Sequence, residues 1–500
     1  MKHATYFIYG AFGALLLVLA VVALRDVVAV EQKQRMPWER PHVERDLDTI
    51  LKDTLRVLVL ADPLSWEERP QGVSGLEHDL LERFAKRLGV PLLVVPMTHP
   101  DSMLLALQKG VGDVIAAQAT ARRDRRKWLA YTAPYRTVRP VLATLRPDPQ
   151  GSGTAGKGAK AKAATATVGT RIDTAEISLW SPFSDPAYRF DRPANAPMPL
   201  HLDPLITPED LLMEVVLGRH SASIVTDARA HYETGRFPVL EFSDPLGPAV
   251  DLCFVLRRNA PELLRRMDEW LADPAEVDAR ALFVKAYSMP LPKPGPLRNK
   301  RSVPVSGDSI SPYDAWFKEH AGRIPWDWEL LAAMAYKESR FDSTVVSVKG
   351  AQGIMQIMPR TAERLGLEPG DFMEDHIGAA TLYLNKLDTL WMRAIPDREQ
   401  RLRFVLASYN AGPGHIIDAQ RLARILGLDP DRWEHNVERA VLLLAKPRYY
   451  MLPEMKNGFC NGRQVFYYVR EVVGMYRQLK GRPRSSTKVE SSSVPESAGE

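Results

Sequence analysis

Cysteine is nearly absent from this chain: 500 residues carry only Cys253 and Cys460. No C-x-x-C pair occurs, so a cysteine-held zinc site is excluded, and no metal is expected. Two isolated thiols read as small buried hydrophobes, with a disulfide between them as the alternative. A strong charge imbalance is also missing, since 66 Lys and Arg face 61 Asp and Glu for a net charge of +5. That surplus suits an anionic surface or polymer without choosing among nucleic acid, lipid headgroups and acidic wall polymers. No internal repeat is present.

Charge is wholly missing from Tyr6 to Leu24, a stretch preceded by Lys2 and followed by Arg25 and Asp26. A helix of that length spans roughly 28 Å at about 1.5 Å per residue, close to the thickness of a bilayer core. Lys2 favours a cytoplasmic start with the remainder exported. The alternative is a cleaved signal peptide, with Val21 and Ala23 as small residues before the cut. No cysteine follows the run, which argues against a lipid anchor. Residues 1–26 are therefore a membrane span or signal peptide, and 27–50 a charged stalk. The sequence does not separate these two, nor inner from outer membrane.

With 45% hydrophobic and 25% charged residues the remainder is globular, and too long for a single domain. Short apolar runs alternate with helical spacing from Leu55 onward. Strands are expected at Leu55–Leu60, Pro91–Pro96, Val114–Ala117, Ser221–Val225 and Cys253–Leu256. Helices are expected at Gly75–Leu88, Ser102–Lys109, Thr207–Arg219 and Pro261–Leu271. The alternation predicts an α/β unit over 51–290 with a largely parallel sheet. It is interrupted by a polar, glycine-rich loop at 147–167. The proline-dense 290–296 opens a linker over 291–312, and 313–480 reads as all helix. A Ser-rich, charged tail, expected to be disordered, covers 481–500.

Within 53–290, three segments resemble the family 3 periplasmic solute-binding proteins. They are Gly75 to Gly89, Leu104 to Ala117, and Arg125 through Tyr131-Thr-Ala-Pro-Tyr135. The resemblance implies a two-lobed α/β clamp. It implies Arg125 as the group for a ligand carboxylate, which a guanidinium suits, and Asp227 for the ammonium. An amino acid or muropeptide is the ligand expected. A solvated basic face is the alternative reading of the run Arg122, Arg123, Arg125 and Arg126.

In the helical region, proline at 325 is expected in the first turn of a helix reaching Glu338. Leu331, Met334 and Glu338 share one stripe, and a carboxylate on an apolar stripe should have a raised pKa. A Glu paired with Arg340 would look similar. The surroundings are Glu338-Ser-Arg-Phe, Gly350-Ala-Gln-Gly-Ile-Met-Gln-Ile-Met-Pro-Arg-Thr-Ala362, Tyr409-Asn-Ala-Gly-Pro-Gly414 and Gly462 to Val469. In that order they resemble the family 1, soluble-type lytic transglycosylases, which implies a lysozyme-like helical fold.

The resemblance implies Glu338 as the acid/base, with Ser347, Gln356 and Met358 lining its cleft. It implies that Tyr409 and Asn410 support the acid and the sugar's N-acetyl group, and that the Tyr468 hydroxyl points into the cleft. Gln464 departs from the family's Glu, which puts a buried supporting hydrogen bond in doubt. Gly350 and Gly353 are expected to let the backbone approach the sugar. A glycosidase of the usual kind needs a second carboxylate, and none stands in these motifs; Asp342 reads as a turn residue.

The expected activity is cleavage of the MurNAc-GlcNAc β-1,4 bond of peptidoglycan with a 1,6-anhydroMurNAc end. No cofactor is required and no nucleic-acid partner is expected. The working part would face the periplasm, joined to a ligand-binding domain that regulates it. The alternatives are a goose-type muramidase and a wall-tethered receptor without catalysis. Endo- or exo-lytic action is not legible.

Overall fold

The computed structural model describes residues 39–147, 174–190, 200–291 and 309–481, except Gln71, Thr98, 204–205, Val348 and Pro369. The apolar segment Tyr6–Leu24, the tail from 482, half of the stalk, and most of the low-complexity loop and linker lie outside the described residues. Among the described residues, no helix is long and apolar enough to cross a membrane. The chain divides into two compact units. One comprises the described residues of Met1–Tyr232 and Glu241–Met289, the other those of Glu233–Leu240 and Pro290–Glu500.

The first unit holds two five-stranded sheets. Its strands in chain order are β1 (Leu55–Leu60), β2 (Leu92–Met97), β3 (Val114–Ala116), β4 (Leu129–Tyr131), β5 (Pro140–Leu145), β6 (Ala175–Ser178), β7 (Leu200–Asp203), β8 (Ala222–Thr226), β9 (Leu240–Phe242) and β10 (Val255–Arg257). The first sheet runs β2-β1-β3-β10-β4 and the second β7-β6-β8-β5-β9. In β1 the residues Leu55, Val57, Leu58 and Val59 are all buried, the near-continuous burial of a parallel strand covered on both faces. It pairs in parallel with β2, Leu55 opposite Leu92, and with β3, Val57 opposite Val114.

The expectation of a largely parallel sheet needs correction. β10 is antiparallel to both β3 and β4, and β8 is antiparallel to β5. The cause is topological, because the chain crosses from one lobe to the other and returns. The two crossings pair as an antiparallel ribbon, Arg136–Val138 against Val250–Leu252. Cys253 and Phe254, expected to begin a strand, belong to the returning segment, and β10 starts at Val255.

Helices α1 (Leu76–Leu88), α2 (Pro100–Gln108), α5 (Pro261–Ala272) and α6 (Pro274–Ser288) belong with the first sheet, and α3 (Pro208–Leu217) and α4 (Asp227–Glu233) with the second. Arg229 of α4 is buried and bridges the lobes. Its guanidinium meets Glu209 at 2.6 Å and also pairs with Asp62, just beyond β1. Arg69 likewise reaches Tyr232 of α4. Both cysteines are free and buried, in keeping with the hydrophobe reading.

The second unit is helical: α7 (Asp314–Ala321), α8 (Trp328–Ser339), α9 (Pro359–Leu365), α10 (Met373–Met392), α11 (Arg398–Ala411), α12 (Pro413–Ile425), α13 (Glu438–Leu443) and α14 (Gly462–Lys480). From Leu330 to Ala335 every residue of α8 is fully buried, so this helix is apolar all round and runs through the core. It packs on α7 and α14. The start of α14 presses against α13, where a Cβ on Gly462 would fall 1.9 Å from the Val441 carbonyl oxygen. Only glycine fits there.

α8 begins later than expected. Asp327 takes the N-cap position with extended backbone, and Pro325 and Trp326 precede the helix. The Asp327 carboxylate is engaged by Lys480 at 2.6 Å and the Tyr476 hydroxyl at 3.2 Å, which fixes the start of α8 on the end of α14.

Candidate functional site

Glu338 stands in the last turn of α8. It retains some exposed surface, yet its carboxyl is buried, and burial pushes its pKa up to about 7. The Tyr468 hydroxyl facing it and the Lys337 ammonium act the other way and are outweighed. Tyr468 is buried, and its contact with the carboxyl falls short of good hydrogen-bond geometry. The alternative pairing with Arg340 is not formed. The Arg340 guanidinium lies over the Tyr336 ring, 5.5 Å from its centre, and Lys337 is the charge that acts on Glu338.

Immediately after the acid the chain turns sharply. Arg340 and Phe341 both have left-handed backbone, φ +57° and +64°, a conformation that costs about 1–3 kcal/mol for each side-chain-bearing residue. Packing holds it, with the Phe341 ring between Phe317 and Tyr336, 6.4 and 5.6 Å away between centroids. Ser339 ties the acid's helix to the glycine-rich segment, its hydroxyl within 2.8 Å of the Ile354 carbonyl. Sequence reading quoted Ser339 but gave it no role. Its place in the Glu338-Ser-Arg-Phe motif was the only available signal.

The described residues from Val345 to Ile357 form a folded loop. Gln352 and Ile357 exchange backbone hydrogen bonds of 3.1 Å each, and Ser347 Oγ accepts from the Ala351 amide at 2.9 Å. Gln356 at φ +49° donates from Nε2 to the carbonyls of Val345 and Gly353, at 2.8 and 2.9 Å. Ser347 and Gln356 thus shape the loop from within. Gly353 is required by the fold itself: φ is +73°, and a Cβ would lie 2.7 Å from His376 Nδ1. Met358 holds the N-cap position just before α9 and is exposed.

From α11, Tyr409 donates to the Met355 carbonyl at 2.8 Å, joining that helix to the same loop. Burial and then the charge of Glu338 raise the hydroxyl pKa of both Tyr409 and Tyr468, so the three groups form one electrostatic cluster. Asn410 is half-buried, and no protein hydrogen bond to its side chain occurs among the described residues. Gln464 corrects an expectation: it is exposed at the start of α14, its carbonyl oxygen 3.5 Å from Asn461 Nδ2, and supports nothing buried.

No second carboxylate acts on Glu338 among the described residues. Asp342 is the turn residue expected, accepting from the Thr344 amide and hydroxyl at 2.9 and 2.6 Å. The buried Asp418 is saturated by donors, including the Asn457 amide at 2.7 Å and Arg421 at 2.8 Å. A lone carboxyl that keeps its proton near neutral pH can protonate a leaving oxygen and afterwards accept a proton.

In the first unit the two expected ligand residues are not brought together. Arg125 lines a cavity of about 80 Å³ with Arg122, Gln118 and Trp180, its guanidinium 5.8 Å from the centre of the Trp180 ring. Asp227 faces a different space. Its Oδ1 accepts from the backbone amides of Arg139 and Ala228, at 3.1 and 2.8 Å. Sequence reading also missed Glu77, whose buried carboxyl accepts from the Tyr135 hydroxyl and the Gln118 amide; burial raises its pKa to about 7.

The family model for bacterial extracellular solute-binding proteins, family 3, matches residues 55–280, and the transglycosylase SLT domain matches 316–427. Among curated proteins, the membrane-bound lytic murein transglycosylase F of Desulfosudis oleivorans is 28% identical over 416 residues, 83% of this chain and 87% of that protein. The protein of the same name from Serratia proteamaculans is 27% identical, covering 84% of this chain and 82% of its own. Among solved structures, an ancestral cationic amino acid solute binding protein is 22% identical with a TM-score of 0.36, covering 48% of this chain and 98% of that one. The chain joins a family 3 solute-binding domain to a transglycosylase SLT domain and is similar, over most of its length, to membrane-bound lytic murein transglycosylases F.

Proposed function

We propose that this protein is a peptidoglycan lytic transglycosylase working at the periplasmic face of a bacterial membrane, with Glu338 as its acid/base. One observation carries the chemistry: a single carboxyl, held protonated up to about pH 7 by burial, with no second carboxylate acting on it among the described residues. Glu338 donates its proton to the oxygen between N-acetylmuramic acid and N-acetylglucosamine as that bond breaks. The N-acetyl group stabilises the oxocarbenium-like centre, with Tyr409 and Asn410 beside it. The C6 hydroxyl then bonds to the anomeric carbon and returns its proton to Glu338. The product is a 1,6-anhydromuramic end, and water is not consumed. Mass spectrometry of digested sacculi should find that end as the main product; reducing N-acetylmuramic ends in its place would mean hydrolysis.

The raised pKa also fixes the pH dependence. The acid must begin protonated, so cleavage should fall above about pH 7, by roughly tenfold per unit. A rate still climbing at pH 8 would contradict it. The same group favours the fold when protonated. That contribution is complete below its unfolded value of 4.5 and is lost as pH rises through about 7.

For the first unit we propose a sensory role, with an amino acid or wall peptide as ligand and Arg125 at the interlobe cavity as one contact. The membrane-bound relatives support anchoring, which the notably charge-free Tyr6–Leu24 would supply.

A further inference from the structure

A second space for a ligand in the first unit lies away from the interlobe cavity. That cavity is small, and Arg229 bridges the lobes beside it through Asp62 and Glu209. A groove of about 500 Å³ opens instead where the hinge ribbon meets α4 and α6, within the range of small-molecule sites. Arg136 and Arg280 line it together with Asp227 and His231, and Val277 and Val284 of α6 supply an apolar wall.

The two guanidiniums are short of partners. Arg136 donates to Ser288 Oγ at 3.0 Å and Arg280 to the Leu271 carbonyl at 3.1 Å. Neither forms an ion pair among the described residues, although both are partly desolvated, and burial lowers the pKa of each. Buried cations ordinarily have a carboxylate, and forked donors such as these match one in two-point contact. Asp227 spends Oδ1 on backbone amides, and no donor reaches its Oδ2 among the described residues. Tyr135 is committed to Glu77 at 2.7 Å and adds no charge. Asp227 acts on Arg136 through space and Glu276 on Arg280, but Glu276 is already engaged by Arg83 and Arg87 and does not line the groove, so two guanidiniums face one carboxylate there.

We infer that this groove binds a small acidic amino acid or peptide, its carboxylates on Arg136 and Arg280 and its amino group facing Asp227. A molecule with one ammonium and two carboxylates matches the three charges one for one. The site is separate from the cavity beside Arg125 and does not depend on the glycan-cleaving chemistry.

Calorimetry on the full-length protein tests it, with alanylglutamate as probe and N-acetyl-alanylglutamate and glutarate as comparators. Alanylglutamate should bind, and Arg136→Ala and Arg280→Ala should each weaken it by about tenfold or more. Arg265→Ala, on the exposed side of α5, should leave the affinity unchanged. Asp227→Asn retains the Oδ1 contacts and should erase the preference for alanylglutamate over its N-acetylated form. Where an alanine variant melts early, Arg136→Lys or Arg280→Lys replaces it; the effect keeps its direction, because an ammonium lacks the fork. No binding of alanylglutamate by the unaltered protein overturns the assignment. So does wild-type affinity in both arginine variants.

Discussion

Glu338→Gln is expected to reduce cleavage of purified sacculi by about 1000-fold or more, while the protein keeps its melting temperature. The amide preserves size and hydrogen-bonding capacity but cannot give up a proton. A positioned acid contributes about 100- to 10,000-fold, and here one group serves both as acid and as base. Stability should hold because the carboxyl is already neutral at moderate pH, its pKa having been raised to about 7 by burial. Replacing a protonated carboxyl by an amide therefore removes no buried charge. Release of soluble muropeptides gives the rate and calorimetry the melting temperature. Turnover within tenfold of the unaltered protein would remove Glu338 from its role.

Arg229→Ala should destabilise the first unit by about 3–5 kcal/mol, since it strands two buried carboxylates, Asp62 and Glu209, without their cation. Asp62 retains its contacts with the Leu64 amide at 2.8 Å and Gln118 Nε2 at 3.0 Å, which do not replace a charge. Because the two carboxylates come from different lobes, the loss should also let the clamp open. Scanning calorimetry reads the first as a lowered transition for this unit, and small-angle scattering the second as an increased radius. A variant melting within a degree of the unaltered protein would mean that the bridge does not hold the lobes.

The candidate helical site could be assembled from the sequence because each of its parts lies in a short motif, although the motifs themselves are far apart along the chain. Glu338, the loop around Gly353 and the Tyr409-Asn410 pair each sit in a short motif whose residue types are chemically constrained. Asn461 accepting from the Gln464 amide at the start of α14 could likewise be read locally. Ser339 marks the limit: its contact with Ile354 spans 15 positions, and nothing in its immediate neighbours announces it. The sharp turn at Arg340 and Phe341 was also hidden, since neither residue type signals a positive φ.

In the first unit, periodicity predicted β1, β2, β3 and β8 near their observed places because they are short, apolar and bounded by turns. It missed β4 through β7 and β9, most of which are only three or four residues long and leave no regular pattern. Arg125 and Asp227 were selected by their places in a family pattern, but a pattern along the chain fixes no direction for a side chain.

The sequence by itself determined the domain classes and pointed to Glu338 as the candidate acid, because those follow from residue identity and local spacing. Tertiary structure alone decided that Arg229 joins Asp62 across 167 positions and that Asp227 faces Arg136 and Arg280 rather than Arg125. It also raised the Glu338 pKa to about 7. The physical reason is common to all three: charge pairing and desolvation depend on distance in space, and only the packed chain sets those distances.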